Sequence, residues 1–217
     1  MSYYYLPRCI EKEYISTDIK IICDNDFYKI IAINDIKKGT VIMKEKSEYN
    51  LFGCRKTNQI LDILYLMLKN KDDIKITNLY PRNNINLLNQ SNNPYLIDLQ
   101  KEIKYCSNNK MKNFLLEQNI DTLYTYYYKI LFNAFDMYNT PILLFNGAMM
   151  NHSCNPNVKF YEFNNAMYFE TLYDIKKGNE LTYSYLRNAS IKSEDDKHKY
   201  LLNHYNFTCQ CLLLKKK

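Results

Sequence analysis

The sequence predicts an α+β fold in which strands from both ends of the chain build one structure and helices occupy the middle. Three observations carry this. Residues 19–49 and 157–185 hold short runs of β-branched and aromatic residues broken by turn residues. Between them apolar residues recur at helical spacing. One pentapeptide, Asp-Ile-Lys-Lys-Gly, occurs at 35–39 and again at 174–178, each time between strand patterns.

The elements follow in order. Residues 19–24 (IKIICD), 26–33 (DFYKIIAI) and 40–45 (TVIMKE) read as strands, with Gly39 as the turn residue that tolerates positive φ. Residues 58–69 read as a helix with Ile60, Ile63, Leu64, Met67 and Leu68 on one face. Residues 71–93 are rich in Asn and read as loop. A second helix places Leu96, Leu99, Ile103 and Cys106 together. Over 111–135 one further apolar stripe runs through Phe114, Leu115, Leu123, Tyr127, Ile130 and Leu131. Strand structure resumes after Pro141. Residues 157–163 and 166–172 flank Asn164-Asn165, which suits a two-residue hairpin turn. The second pentapeptide then leads into ELTYSY at 180–185. Ser193 reads as the N-cap of a last helix, with Glu194, Asp195 and Asp196 in its first turn.

Composition sets the class. The chain has 217 residues, 47% hydrophobic and 24% charged, which excludes a disordered, collagen-like or coiled-coil protein. No apolar run approaches the roughly 18 residues of a membrane span, and the start lacks the apolar core of a signal peptide. The expectation is an intracellular protein of nucleus or cytoplasm, monomeric, with no membrane attachment. Lys+Arg 29 against Asp+Glu 23 gives +6, too small an excess to argue for direct nucleic-acid binding. The chain holds 22 Tyr, no Trp and only 4 Gly, so a single Tyr says little here and a Gly says more. Seven Cys, an odd number, fit a reducing compartment. Cys9, Cys23, Cys54 and Cys106 stand alone and read as small buried hydrophobes.

Three segments carry chemistry: Asn151-His152-Ser153-Cys154-Asn155-Pro156-Asn157, then Glu180-Leu181-Thr182-Tyr183-Ser184-Tyr185, then Tyr205-Asn206-Phe207-Thr208-Cys209-Gln210-Cys211. Singly they read as a polar turn, an amphipathic strand and two thiols. In this order they resemble the SET-domain lysine methyltransferases, most closely the SET-and-MYND branch. The early strands through AINDIKKGTVIMKEK and the segment from FNAFDM to the cysteine tail carry the likeness. Residues 48–130 carry no motif, where the family has a variable helical insert.

The resemblance implies a SET-domain fold of small β-sheets with a pseudo-knotted C-terminal part. It divides the single domain 1–217 into N-terminal strands (19–49), helical insert (50–132), catalytic core (133–190) and a post-SET helix with a short cysteine-containing tail (191–217). It implies methyl transfer from S-adenosylmethionine to a lysine of a histone or other protein, with Tyr185 as the catalytic tyrosine. Asn151 and His152 would bind the polar groups of the cofactor, the latter through its main chain or its ring, and Tyr205 and Phe207 would cover it. Tyr183 would line the lysine channel or pack. Cys154, Cys209 and Cys211 match three ligands of a zinc site. The sequence departs from the family in three places. Leu214 stands where a fourth cysteine would be, leaving His204 or a residue from elsewhere as the substitute. Phe27, Tyr28 and Lys29 stand where the family has a Gly-x-Gly turn. The MYND finger is absent, since residues 48–130 hold only Cys54 and Cys106. The first two departures favour an alternative, a SET scaffold that binds without turnover, which the presence of Tyr185, Asn151 and His152 opposes.

Overall fold

In the computed structural model, residues 12–24, 27–47, 59–82, 94–186, 191 and 193–209 are described. The strand patterns fold as read. β1 (Tyr14–Ile15), β2 (Ile19–Asp24), β3 (Phe27–Ala32) and β4 (Val41–Glu45) come first. After the helices and a hairpin come β7 (Asn151–His152), β8 (Val158–Phe163), β9 (Ala166–Thr171) and β10 (Glu180–Tyr183). They form two four-stranded sheets, ordered β1-β4-β9-β8 and β2-β3-β10-β7. Each sheet takes two strands from each end of the chain. The Asn164-Asn165 turn has φ 47° and 55°, the twist a tight hairpin requires, and sets Phe163 opposite Ala166.

The repeated pentapeptides meet. Ile36 and Ile175 exchange both main-chain hydrogen bonds at 2.8 Å and both are buried. Lys37 Nζ reaches Asp174 and Lys176 Nζ reaches Asp35, each at 2.8 Å. The Asp174 carboxylate also accepts from Lys38 N, and Asp35 from Lys177 N, at 2.9 Å. Gly39 and Gly178 close the two turns at φ 78° and 87°. Nothing stands within 4 Å of a Cβ at either position, so the glycines serve backbone conformation and not space.

Residues 1–46 and 149–217 make up one unit, and residues 47–148 a second. The second unit is mostly helical. α1 (Gln59–Lys69) buries Leu61, Ile63, Leu64, Met67 and Leu68. α3 (Pro94–Tyr105) buries Leu96, Leu99 and Ile103. Three readings need correction. Inside the Asn-rich stretch lies a short helix, α2 (Ile74–Asn78), started by Asp73, whose side chain accepts from Lys75 N at 2.8 Å. The long stripe is two helices, α4 (Asn109–Leu116) and α5 (Ile120–Asn133), because Asn119 caps the second by accepting from Asp121 N at 2.9 Å. Strand structure resumes before Pro141, in a hairpin of β5 (Ala134–Met137) and β6 (Thr140–Leu143). Its turn places Tyr138 at φ 51° beside Asn139 at 59°, and a tyrosine gives no such signal in sequence. Cys23 is exposed and Cys106 half-buried, against the expectation for isolated cysteines. Cys9 and Cys54 lie outside the described residues. No helix among the described residues is long and apolar enough to cross a membrane.

α5 carries a buried lysine. Lys129, 2% exposed, donates from Nζ to the carbonyls of Leu79 and Thr77 at 2.5 and 3.3 Å. Those oxygens lie at the C-terminal end of α2, where helical carbonyls lack partners. Burial, with Arg82 nearby, lowers the Lys129 pKa to about 8.

Two outcomes follow. Gly39→Ala and Gly178→Ala should each cost about 1 kcal/mol in denaturant unfolding, although a methyl fits at both, because φ alone is strained. A lysine whose folded pKa lies below its unfolded value gives stability that grows as pH rises from the first to the second. The unfolding free energy of the native protein minus that of Lys129→Met should therefore rise by roughly 2–3 kcal/mol between pH 8 and 10.5. A difference that stays flat with pH refutes this account of Lys129.

Candidate functional site

β10 assembles the site. It pairs antiparallel with β3 through Glu180↔Ile31 and Leu181↔Ile30, and parallel with β7 through Thr182↔Asn151 and Tyr183↔His152. The chain leaving β10 thereby carries Tyr185 beside the Asn151–Cys154 segment. Asn157 fixes this register, since its Nδ2 donates to Glu180 O and its Oδ1 accepts from Thr182 N, both at 2.8 Å.

Asn151 has a determined orientation. Its Nδ2 donates to Glu180 Oε1 at 2.8 Å and to Tyr28 O at 3.1 Å. Two acceptors require the amide nitrogen on that side. Its Oδ1 is left as an acceptor for an outside donor. Nothing in the sequence singles out Glu180 as its partner. That glutamate opens the ELTYSY segment, but only the β7–β10 pairing shows what it holds. Phe27, Tyr28 and Lys29 open strand β3, as the strand pattern over 26–33 predicts, and the Tyr28 carbonyl is the one that Asn151 uses.

Tyr185 stands among rings. Its centroid lies 4.7 Å from Tyr205, 4.9 Å from Tyr183, 5.2 Å from His152 and 6.1 Å from Phe207. Its hydroxyl donates to Met150 O at 3.0 Å. Burial, then the neighbouring Tyr205 and Glu180, push its pKa well above the ordinary tyrosine value. Tyr183 is raised too, by burial first and Tyr185 next. Tyr183 packs between the sheets, edge-on to Phe160 at 5.3 Å and to Phe169 at 6.3 Å. Both tyrosines are neutral phenols at neutral pH. They can donate or accept a hydrogen bond but cannot act as bases.

The tail reaches the same place. α6 (Glu194–Tyr205) starts at Ser193, whose hydroxyl accepts from Asp196 N at 3.1 Å. It ends at Asn206, whose φ of 56° turns the chain. Tyr205 and Phe207 leave on either side of that turn. Leu201 and Cys209 are buried together, and Cys154, Tyr185, Leu186, Tyr205 and Phe207 pack on them. Cys211 and Leu214 lie outside the described residues, as does part of the segment that would form the pseudo-knot.

His152 faces two ways. Its Nδ1 accepts from Tyr185 N at 3.0 Å, and its Nε2 lies 3.2 Å from Cys154 Sγ. Burial lowers its pKa to about 4, so the ring is neutral. Both ring nitrogens are thus engaged within the chain. A His152 nitrogen and the sulfurs of Cys154 and Cys209 lie within 4.8 Å of one another, a donor set that suits zinc by type. His204 is not part of it, being exposed and stacked on Tyr200 at 4.1 Å.

The SET domain family model matches residues 28–186. A SET domain-containing protein of Acanthamoeba polyphaga mimivirus is 33% identical over 183 residues, 84% of this chain and 71% of that protein. A SET and MYND domain-containing protein of Dictyostelium discoideum is 39% identical over 66 residues, 30% of this chain and 16% of that protein. The SET domain of LSMT bound to lysine and AdoHcy superposes with a TM-score of 0.60 at 13% identity, over 88% of this chain and 53% of that one. Rubisco LSMT bound to sinefungin and monomethyllysine gives the same score and identity over 88% of this chain and 52% of that one. The chain thus spans about half the length of those solved chains, and at this identity the likeness is one of fold.

The Asn151 arrangement yields an outcome of its own. Asn151→Asp sets a carboxylate against Glu180, where like charges cannot both ionise cheaply. Its melting temperature should fall below that of Asn151→Ala at pH 8 and recover toward it as pH drops to 5 and one carboxyl takes up a proton. Equal melting of the two variants across that range would show that Glu180 does not face this side chain.

Proposed function

The chain belongs to the SET-domain family, and we propose that it is a protein-lysine N-methyltransferase using S-adenosylmethionine. The observation that carries this is the Tyr185 side chain, ringed by aromatic side chains and bonded to Met150 O next to Asn151 in the chain, together with an Asn151 amide whose Oδ1 is left as an acceptor. A bound S-adenosylmethionine supplies an electrophilic methyl group on a sulfonium, so the protein has to orient groups more than it has to react.

The residues divide that work. Asn151 Oδ1 accepts from the ammonium of the methionine moiety, and Glu180 behind it adds favourable negative charge. The His152 main chain meets the adenine side. Tyr205 and Phe207 cover the site and exclude water. The Tyr185 hydroxyl donates its one proton to Met150 O, and its oxygen accepts from the Tyr183 hydroxyl, so one lone pair remains to accept from a substrate amine. That acceptor can align a lysine amine for in-line attack. As a neutral phenol Tyr185 does not take the proton of the substrate lysine, so the amine has to arrive deprotonated. Aromatic walls favour that form by disfavouring the charge. The substrate class is a lysine of a histone or other protein. Cys154, Cys209 and Cys211 hold zinc in this reading and tie the tail to the core, which keeps Phe207 against the site.

Isothermal titration of the folded chain with S-adenosylmethionine is the direct test. Micromolar affinity is expected. The absence of binding would overturn the enzyme reading in favour of a scaffold altered at Phe27, Tyr28 and Lys29. In a following assay with labelled S-adenosylmethionine and core histones, Tyr185→Phe should slow transfer at least about tenfold, the worth of one hydrogen bond. Unchanged kinetics would remove the role given to its hydroxyl.

A further inference from the structure

His152 lies between two machines, the thiol cluster and the aromatic site. Its ring touches both through separate atoms: Nδ1 to the main chain of Tyr185 at 3.0 Å, Nε2 to Cys154 Sγ at 3.2 Å. Two rings pack against it as well, both tilted, Tyr185 at 5.2 Å and Phe207 at 5.8 Å.

The atoms decide what this ring can be. A neutral imidazole has one N–H and one lone pair in its plane. The Tyr185 N–H claims the lone pair at Nδ1. The proton therefore sits on Nε2 and is donated to Cys154 Sγ. Metal ligation through Nε2 would move that proton to Nδ1 and set it against the Tyr185 N–H, donor facing donor at 3.0 Å. The ring can ligate a metal or hold Tyr185, and this geometry holds Tyr185.

We infer that His152 is a positioning residue that links the cysteine cluster to Tyr185, and that it is not the missing fourth metal ligand. The inference rests on the role proposed above for Tyr185. When Cys154 is a metal-bound thiolate, the Nε2–H···Sγ bond becomes charge-assisted and shorter. Metal occupancy then stiffens the support of the tyrosine main chain without contributing a ligand to it.

Nitrogen-15 NMR of the histidine-labelled full chain tests this. The chain has 3 His, and His152→Asn identifies the signal by its loss. The expected ring has Nδ1 unprotonated and Nε2 protonated, before and after zinc is added, with the Nε2 resonance moving on addition. A proton on Nδ1, or coupling of Nε2 to cadmium-113 in the cadmium-substituted protein, overturns the inference.

Two variants then separate support from ligation. His152→Asn keeps an oxygen near the place of Nδ1 and so an acceptor for Tyr185 N–H. His152→Phe keeps only the ring contacts. Bound zinc per chain should be the same in the native protein and both variants, and its loss from both overturns the inference. S-adenosylmethionine affinity should fall in His152→Phe and return to within about threefold of native in His152→Asn. Equal weakening in both variants contradicts a supporting role for Nδ1. If the native chain binds no S-adenosylmethionine, the functional reading fails on its own, while tautomer and zinc content still decide this one.

Discussion

The clasp between the two Asp-Ile-Lys-Lys-Gly turns is the contact on which the sheet unit depends. One turn carries the chain from β3 into β4, and the other from β9 into β10, so each passes from one sheet to the other. The clasp joins both crossings at one point. Its ion pairs are exposed and on that ground worth little. The weight rests on the reciprocal main-chain bonds of Ile36 and Ile175 and on their buried side chains. Because β3 and β10 leave the clasp together, their pairing is already set, and with it the height of Glu180 relative to Tyr28.

From that height the rest of the site follows by short steps. Glu180 and the Tyr28 carbonyl turn the Asn151 amide. β7 beside β10 sets His152 under Tyr185. The last helix returns Tyr205 and Phe207 to the same ring. Each step is a hydrogen bond of about 3 Å or a ring contact, and none relies on an exposed charge. The electrostatics agree. Burial holds Tyr185 and Tyr183 as phenols and His152 as a neutral imidazole, so the site offers oriented dipoles and no mobile proton.

Much of this was legible in the residues. The Asn164-Asn165 hairpin, the Ser193 cap and the amphipathic face of α1 are local, and local spacing reports them. The repeated pentapeptide was visible as a repeat, but that its copies pair could not be read from either alone. The break at Asn119 was missed because an apolar stripe continues across it, although Asn is a capping residue. The Tyr138–Asn139 turn was missed because tyrosine does not announce positive φ. The motifs point to Tyr185, Asn151 and Phe207 as candidates, and the fold brings Tyr185 and Phe207 to the one His152 ring. Glu180 and Asn157 were not singled out, since their partners lie on strands distant in sequence. The two roles of the His152 ring depend on which atoms face which nitrogen, and no spacing encodes that.

The division of the chain has a consequence for how it is made. Residues 47–148 are contiguous, and every partner they need within their unit emerges from the ribosome in one stretch. The other unit is split around them. β2, β3 and β4 are synthesised first, yet β9 and β10 follow more than a hundred residues later. Until then the early strands can pair only β2 with β3 and β1 with β4, with one edge of each still open. The helical unit closes during that wait. Non-local pairings of this kind fold slowly, and open edges invite association with other chains. A nascent chain stalled before Ala166 would thus expose two unfinished sheets, one lacking β9 and the other β10, the state in which it most needs a chaperone.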